Sequence, residues 1–133
     1  MDFSTFSKKA VAQDKRNRFG KYTGQQGAIP DALLPFYREY DPLDVEVELA
    51  GACVRFISAA ELESTSDEHP FLHEQFIFAT SNGDPIFLNE GHVYTCPHGG
   101  GKPKWELLAD DFATYLSEID EQRYLINLQK LIR

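Results

Sequence analysis

The chain has 133 residues, of which 42% are hydrophobic and 26% are charged, and its formal net charge is −8. This length suits one domain, and this apolar share can build a buried core, so we expect residues 1–133 to form a single domain. The negative charge argues against binding of nucleic acid or anionic membranes and favours a basic partner. The sequence shows no apolar secretory segment and no apolar run long enough to span a bilayer, so we expect a cytoplasmic protein.

Cys53 and Cys96 are the two cysteines of the chain. Because a cytoplasmic compartment is reducing, we expect both to be free thiols rather than a disulfide.

The first 40 residues are typical of two helices joined by a polar segment. Residues 1–13 place apolar side chains near helical spacing, and the basic stretch 14–21 indicates a solvated linker rather than a nucleic-acid patch. A second helix is expected to begin at Pro30 and to be kinked at Pro35, or to begin just before Pro35, because proline lacks the amide proton that an interior position needs. It ends at Asp41-Pro42.

Strict alternation over residues 44–49 predicts a half-buried strand, and Ala50-Gly51 predicts a two-residue turn into a second strand over 52–57. This turn places Val47 opposite Val54 and Val45 opposite Phe56 on the buried side. On the other side it places Glu46 opposite Arg55 and Glu48 opposite Cys53. If this side is a solvated strand face, Glu46 and Arg55 are expected to form an ordinary cross-strand ion pair. A short helix is then expected over residues 59–62, and a polar loop over 64–70.

The segments 76–80, 85–89 and 92–96 predict a three-strand meander, with turns at Asn82-Gly83 and Glu90-Gly91. Simple alternation sorts the apolar side chains onto two faces. One face carries Ile77, Ala79, Ile86, Leu88 and Val93, and the other carries Phe76, Phe78, Phe87 and Tyr94. Because both faces are apolar, we expect the helices at the two ends of the chain to cover them.

After a loop at residues 97–103, Asp110 or its neighbour is expected to cap a helix whose apolar positions begin at Phe112. Residues 121–133 either extend this helix or form a separate one. The predicted fold class is therefore α+β, with a central, mainly antiparallel sheet (a hairpin plus a three-strand meander) packed by N- and C-terminal helices.

No residue pattern indicates catalysis, a cofactor or a metal site. Along a strand, His92 and Cys96 lie about 13 Å apart, too far to share a zinc ion, and neither His98 nor the pair His69 and His73 completes a ligand set. Cys96 near His98 lacks a third group that would orient a nucleophile, so an inert thiol is favoured. We expect no catalytic residues, no cofactor and no metal.

The remaining candidates are carboxylates. Asp44, Glu46 and Glu48 point to one side of the first strand, with Asp41 and Glu90 expected nearby. They predict either a docking surface for a basic protein or a solvated strand face that discourages edge pairing. The sequence leaves both alternatives open.

From Ile29 to Leu116 the chain resembles the SUKH superfamily, which includes the fungal Smi and Knr regulators of cell-wall synthesis. The resemblance rests on the following segments, in this order: Ile29-Pro30, residues 34–42, 54–57, Glu61-Leu62, 76–86, 93–95, His98-Gly99 and 108–116.

This resemblance implies a SUKH-like α+β fold over residues 1–133 and a role in binding another protein. Bacterial members commonly act as immunity proteins that bind and neutralise toxins, many of which are nucleases. The expectation is therefore a non-catalytic immunity protein with a basic toxin domain as its partner. The alternative is a regulatory scaffold for cell-wall or envelope synthesis of the Smi and Knr type. The sequence leaves the oligomeric state undetermined.

Overall fold

The computed structural model describes residues 3–24, 29–49, 51–62, 75–96 and 105–131, and in the last range it describes side chains up to residue 121. The protein is α+β. In chain order the elements are α1 (Phe3–Gln13), β1 (Arg18–Gly20), α2 (Leu34–Tyr40), β2 (Asp41–Leu49), β3 (Ala52–Phe56), a 3₁₀ turn (Ala59–Glu61), β4 (Phe76–Ser81), β5 (Asp84–Asn89), β6 (His92–Thr95), β7 (Glu106–Ala109) and α3 (Phe112–Leu131). The expected loops at residues 64–70 and 97–103 lie outside the described residues.

The described strands form one antiparallel sheet whose spatial order follows the chain from β1 to β7. The predicted hairpin register is confirmed: Val45 pairs with Phe56, and Val47 pairs with Val54. The meander is confirmed as well. Asn82 and Gly83 both have positive φ, at 50° and 93°, and two successive residues of that kind make the tight turn that matches the right-handed twist of the flanking strands.

The two outermost strands were not predicted. Arg18–Gly20 pairs with the first half of β2, so the interpretation of residues 14–21 as a solvated linker is wrong for this part. Glu106–Ala109 pairs with β6. Both strands are only 3 or 4 residues long, too short for an alternating pattern to show. Their backbone groups are satisfied by a neighbouring strand that is distant in sequence.

The ends of the helices follow local chemistry. α2 begins at Leu34 with Pro35 in its first turn, where the missing amide proton has no intrahelical partner to lose. This confirms the later of the two predicted starts. At α3 the capping residue is Asp111, the neighbour of Asp110, because its Oδ1 accepts a hydrogen bond of 2.7 Å from the Thr114 N–H. The helix continues to Leu131, so residues beyond 121 extend it.

The predicted sorting of the meander onto two faces is partly wrong. The register of β4 against β5 shifts between Ile77 and Ala79, so Phe78 is an extra residue and the strict alternation breaks. As a result Phe78 and Ala79 both join the larger buried cluster, which we call the main core and which also contains Phe36, Phe56 and Phe112, and Phe76 packs against it. Ile77 moves to the opposite face, where it clusters with Phe87.

All three described α-helices contribute to the same core, so the expectation that they cover both faces is also wrong. The ring of Phe36 in α2 lies 6.0 Å from that of Phe6 in α1 and 5.1 Å from that of Phe112 in α3. Phe112 in turn packs against Phe78 of the sheet, with ring centroids 5.1 Å apart. The described helices thus form one layer against one face, and the other face of the sheet carries a smaller buried cluster of Ile77, Phe87 and Cys96.

Candidate functional site: an acidic strand face

Strand β2 presents three carboxylates on the face away from the helices. Val45 and Val47 are 1% and 0% exposed and point into the helix-covered core. Since successive side chains on a strand point to opposite faces, Asp44, Glu46 and Glu48 point the other way, and all three are exposed. Neighbours in this row are about 6.6 Å apart along the strand. We call these three residues the acidic row.

An open pocket of about 140 Å³ lies against the acidic row, between β2 and the end of α1. Its lining residues are Gln13, Asp14, Arg16, Glu46, Glu48 and Cys53. These carry three carboxylates and one guanidinium, so the pocket has a negative net charge at neutral pH.

The single cation of this lining is paired with Asp14. The Arg16 guanidinium lies 2.8 Å from an Asp14 carboxylate oxygen. The hydrogen bonds from Arg16 lower the pKa of Asp14 to about 2, and the same contact raises the pKa of Arg16, with smaller contributions from Glu46 and Asp44. The field of the acidic row therefore reaches Arg16, but the closest anion to that guanidinium is Asp14.

Cys53 completes the pocket as a protonated thiol. Its Sγ–H donates a hydrogen bond to Oε1 of Glu46. Burial, followed by this hydrogen bond to a carboxylate, raises the pKa of Cys53 to about 11. Because the thiolate is the reactive form of cysteine, a thiol held protonated at neutral pH is a poor nucleophile. The pocket chemistry is that of an anionic surface that can accept hydrogen bonds.

The predicted ion pair between Glu46 and Arg55 is wrong, although the register that places them opposite each other is confirmed. Arg55 forms its ion pair with Glu61 of the 3₁₀ turn, at 3.2 Å. Glu46 is oriented by Cys53 instead. The acidic row is therefore less neutralised by β3 than the sequence suggested.

The structure does not bring Asp41 and Glu90 to the acidic row. Asp41 is 6% exposed and its Oδ1 accepts a 3.0 Å hydrogen bond from the Ala59 N–H, so it serves the start of the 3₁₀ turn. Burial raises the pKa of its carboxyl. Glu90 is exposed in the turn between β5 and β6. Three strand spacings of about 4.8 Å separate β5 from β2.

Sequence reasoning missed the polar residues that α1 and its following turn bring to β2. Gln13, Asp14, Arg16 and Asn17 lie about 30 residues before the acidic row, and Asn17 is buried although it stands within a charged run. No local pattern marks such a residue as buried. The nearest signal was the break between the helical pattern and the basic stretch.

The sheet face away from the helices, which carries the acidic row at β2, also carries an aromatic patch farther along the sheet. The patch is defined as Phe87, Tyr94, Trp105 and Leu107. The Trp105 ring lies 5.0 Å from that of Phe87 and 5.6 Å from that of Tyr94. Trp105 is 40% exposed and Leu107 is 54% exposed. Phe87 is buried beneath these side chains, so Trp105 and Leu107 make the patch an apolar alternative to the acidic row as a contact surface.

The other candidates for chemistry are held in structural contacts. His92 lies 2.8 Å through Nδ1 from the Asp110 carbonyl oxygen. Cys96 is buried, and burial raises the pKa of its thiol. Both cysteines are free, as predicted. Within the described ranges no three His, Cys, Asp or Glu side chains are grouped as metal ligands, and His69, His73 and His98 lie outside those ranges.

None of the described helices combines the length and apolar character needed to cross a bilayer. Comparison of the chain with protein-family models, with curated proteins and with solved structures found no match.

Proposed function

We propose that this protein is a non-catalytic binding module that recognises a basic protein partner through the acidic row of β2. The observation that carries the proposal is the position of Asp44, Glu46 and Glu48 on one exposed strand face beside an anionic pocket. A rigid strand holds these charges at fixed spacing, which suits recognition of a partner with complementary positive charge.

The overall charge supports the same partner class. A net charge of −8 attracts a basic surface over a longer range than single pairs do and speeds encounter at low salt. The protonated Cys53 thiol and the buried Cys96 thiol supply no activated nucleophile. Binding without chemistry is the activity that this combination supports best.

The resemblance to the SUKH superfamily makes the partner more specific. Under the leading proposal this chain is an immunity protein in the cytoplasm of the producing cell, and its partner is a basic toxin domain, with nucleases as one class. A nuclease site must be positively charged to hold phosphates, so an acidic row is suited to occluding it. The alternative proposal, also from the resemblance, is a regulatory scaffold for cell-wall or envelope synthesis.

The experiment compares two variants of equal net charge. Glu46→Lys with Glu48→Lys reverses two charges of the acidic row, whereas Glu39→Lys with Glu121→Lys reverses two exposed charges on helices. Each protein is used to capture partners from the native host at low salt, and a stoichiometric partner is then purified for titration. We expect the acidic-row variant to bind at least about tenfold more weakly, or about 1.4 kcal/mol, and the control to bind nearly as well as the wild type.

The result also distinguishes the two proposed roles. A basic partner that kills cells unless this protein is co-expressed supports the immunity role, and a resident envelope-synthesis protein supports the scaffold role. If the acidic-row variant and the control bind equally well, and Trp105→Ala with Leu107→Ala abolishes binding instead, the aromatic patch is the docking surface and the proposal for the acidic row fails.

A further inference from the structure

The backbone groups along the outer edge of β2 are hydrogen-bonded by a strand in one part and by side chains in another. β1 pairs with the first part of the strand, from Asp41 to Asp44. Beyond Asp44, the backbone groups of Glu46 and Glu48 that face away from β3 are bound by side chains of the N-terminal segment. Their partners are Asn17 and Gln13.

These contacts are reciprocal pairs. The Glu46 N–H donates to Asn17 Oδ1 at 2.8 Å, and the Asn17 Nδ2 donates back to the Glu46 carbonyl at 2.9 Å. The Glu48 N–H donates to Gln13 Oε1 at 3.0 Å, and the Gln13 Nε2 donates back to the Glu48 carbonyl at 2.9 Å. A side-chain amide carries a donor beside an acceptor, so each one reproduces the two hydrogen bonds that a residue of a neighbouring antiparallel strand would make.

The two amides differ in how firmly they are held. Asn17 is 6% exposed, and its Nδ2 also donates to the Ala10 carbonyl at 2.8 Å. Gln13 is the exposed last residue of α1. Removal of Asn17 therefore disturbs the packing of α1, whereas removal of Gln13 uncovers the edge at Glu48 with little other change.

We infer that Gln13 and Asn17 form an edge guard, which prevents β2 from pairing with the β2 strand of a second copy of this chain. An open strand edge is a template for another strand, and pairing about a twofold axis uses the same edge on both molecules. The second copy is the partner to be blocked because its edge is self-complementary in the outward-facing donors and acceptors of Glu46 and Glu48.

The acidic row provides a second barrier that acts through charge. Antiparallel pairing about Val47 would place Glu46 of one molecule opposite Glu48 of the other, and like charges directly opposite each other are destabilising. Salt weakens this repulsion, because the screening length falls from ~30 Å at about 0.01 M to ~3 Å at about 1 M ionic strength. Association of an unguarded protein should therefore increase with salt, opposite to the salt dependence expected for binding a basic partner.

The first measurement is backbone amide exchange by NMR in Gln13→Ala, with Thr5→Ala as a control on the same helix. We expect the Glu48 amide to exchange about fivefold to tenfold faster, as loss of one hydrogen bond implies. The Glu46 amide, still bound by Asn17, serves as the internal reference and should change little. An unchanged Glu48 amide would overturn the inference.

The second measurement is sedimentation of wild type, Gln13→Ala, and Gln13→Ala with Asn17→Ala at low and high salt. We expect Gln13→Ala with Asn17→Ala to gain mass with concentration relative to wild type, most strongly at high salt. Gln13→Ala should stay near the wild-type mass, because Asn17 still binds the Glu46 backbone groups that pairing about Val47 requires. If circular dichroism shows that the double variant is unfolded, Gln13→Ala with Asn17→Ser replaces it. A folded double variant that keeps the wild-type mass at high salt overturns the guard, even where the Glu48 amide exchanges faster in Gln13→Ala. None of these outcomes depends on the proposed partner.

Discussion

Truncation of Phe78 to alanine tests whether the shift in β4 directs this side chain into the helix-covered core. Phe78 is 1% exposed. Its ring lies 5.1 Å from Phe112 and 5.8 Å from Tyr115 of α3, and 6.4 Å from Phe56 of β3. The substitution therefore leaves a cavity between the sheet and α3, where several rings lose their contacts at once.

The expected cost follows from this environment. Truncation of a buried Phe to Ala usually costs about 3–5 kcal/mol, because the transfer free energy of the ring is lost and the cavity collapses only in part. Close aromatic pairs add about 0.5–1.5 kcal/mol beyond the buried area. With three ring contacts, Phe78→Ala should lie in the upper part of the range, at about 4–5 kcal/mol.

The assay is urea unfolding followed by circular dichroism, with Leu107→Ala as the control. Leu107 is 54% exposed, so its truncation should change the free energy of unfolding by no more than about 0.5 kcal/mol. Phe78→Ala should have its unfolding midpoint at a lower urea concentration than wild type, and the slope of the free energy of unfolding against urea should be unchanged. A loss below about 1 kcal/mol would refute the placement of Phe78 in the main core, and Phe78→Leu provides a milder change if the alanine variant does not fold.

Three further predictions concern ionisable groups. Burial raises the pKa of Asp41 above its ordinary 3.8. The contribution of Asp41 to the stability of the folded state is therefore complete below pH 3.8 and is lost as pH rises through the folded-state pKa. Asp41→Asn keeps an acceptor for the Ala59 N–H, and its melting temperature should rise relative to that of wild type as pH increases from about 3 to neutral. A difference in melting temperature that stays constant over this pH range would contradict this reasoning. Asp111→Ala removes the cap of α3 and should cost about 1 kcal/mol at neutral pH in urea unfolding. Because the hydrogen bond to Thr114 lowers the pKa of Asp111, that cost should shrink as pH falls through the lowered value, and an equal cost in strong acid would argue against the cap. Cys53, with a pKa of about 11, should react slowly with a disulfide reagent at neutral pH and faster in Glu46→Gln, as located by mass spectrometry. A rate equal to that of the urea-unfolded chain would show that the thiol is not held protonated.

The β2–β3 hairpin and the three-strand meander could be read from the sequence. The alternation over residues 44–49 and the following Gly51, which has a φ of 75°, determined the register of β2 against β3. Asn82-Gly83 and Glu90-Gly91 likewise determined the meander, because positive φ at these positions turns the chain within two residues. In each case the deciding interactions lie within about ten residues of chain.

The same alternating pattern predicted that the acidic row lies on one strand face, but it did not predict the contacts of the neighbouring charged residues. Asp41 shares the strand with Glu46 and Glu48, yet it is buried beneath the 3₁₀ turn. Arg55 was assigned to Glu46 by register and instead pairs with Glu61. Charged side chains have several partners within reach, and packing selects among them.

Tertiary structure alone decided which face each helix covers, where β4 departs from alternation, and how the sheet edges are completed. Phe78 joins the main core because an extra residue in β4 allows it to meet α3, a contact 34 residues away in sequence at Phe112. Gln13 and Asn17 meet β2 in the same way, across 35 and 29 residues. A one-dimensional pattern records how residues alternate along a single element. The partner of that element depends on closure of long loops and on the free energy of burying several elements together.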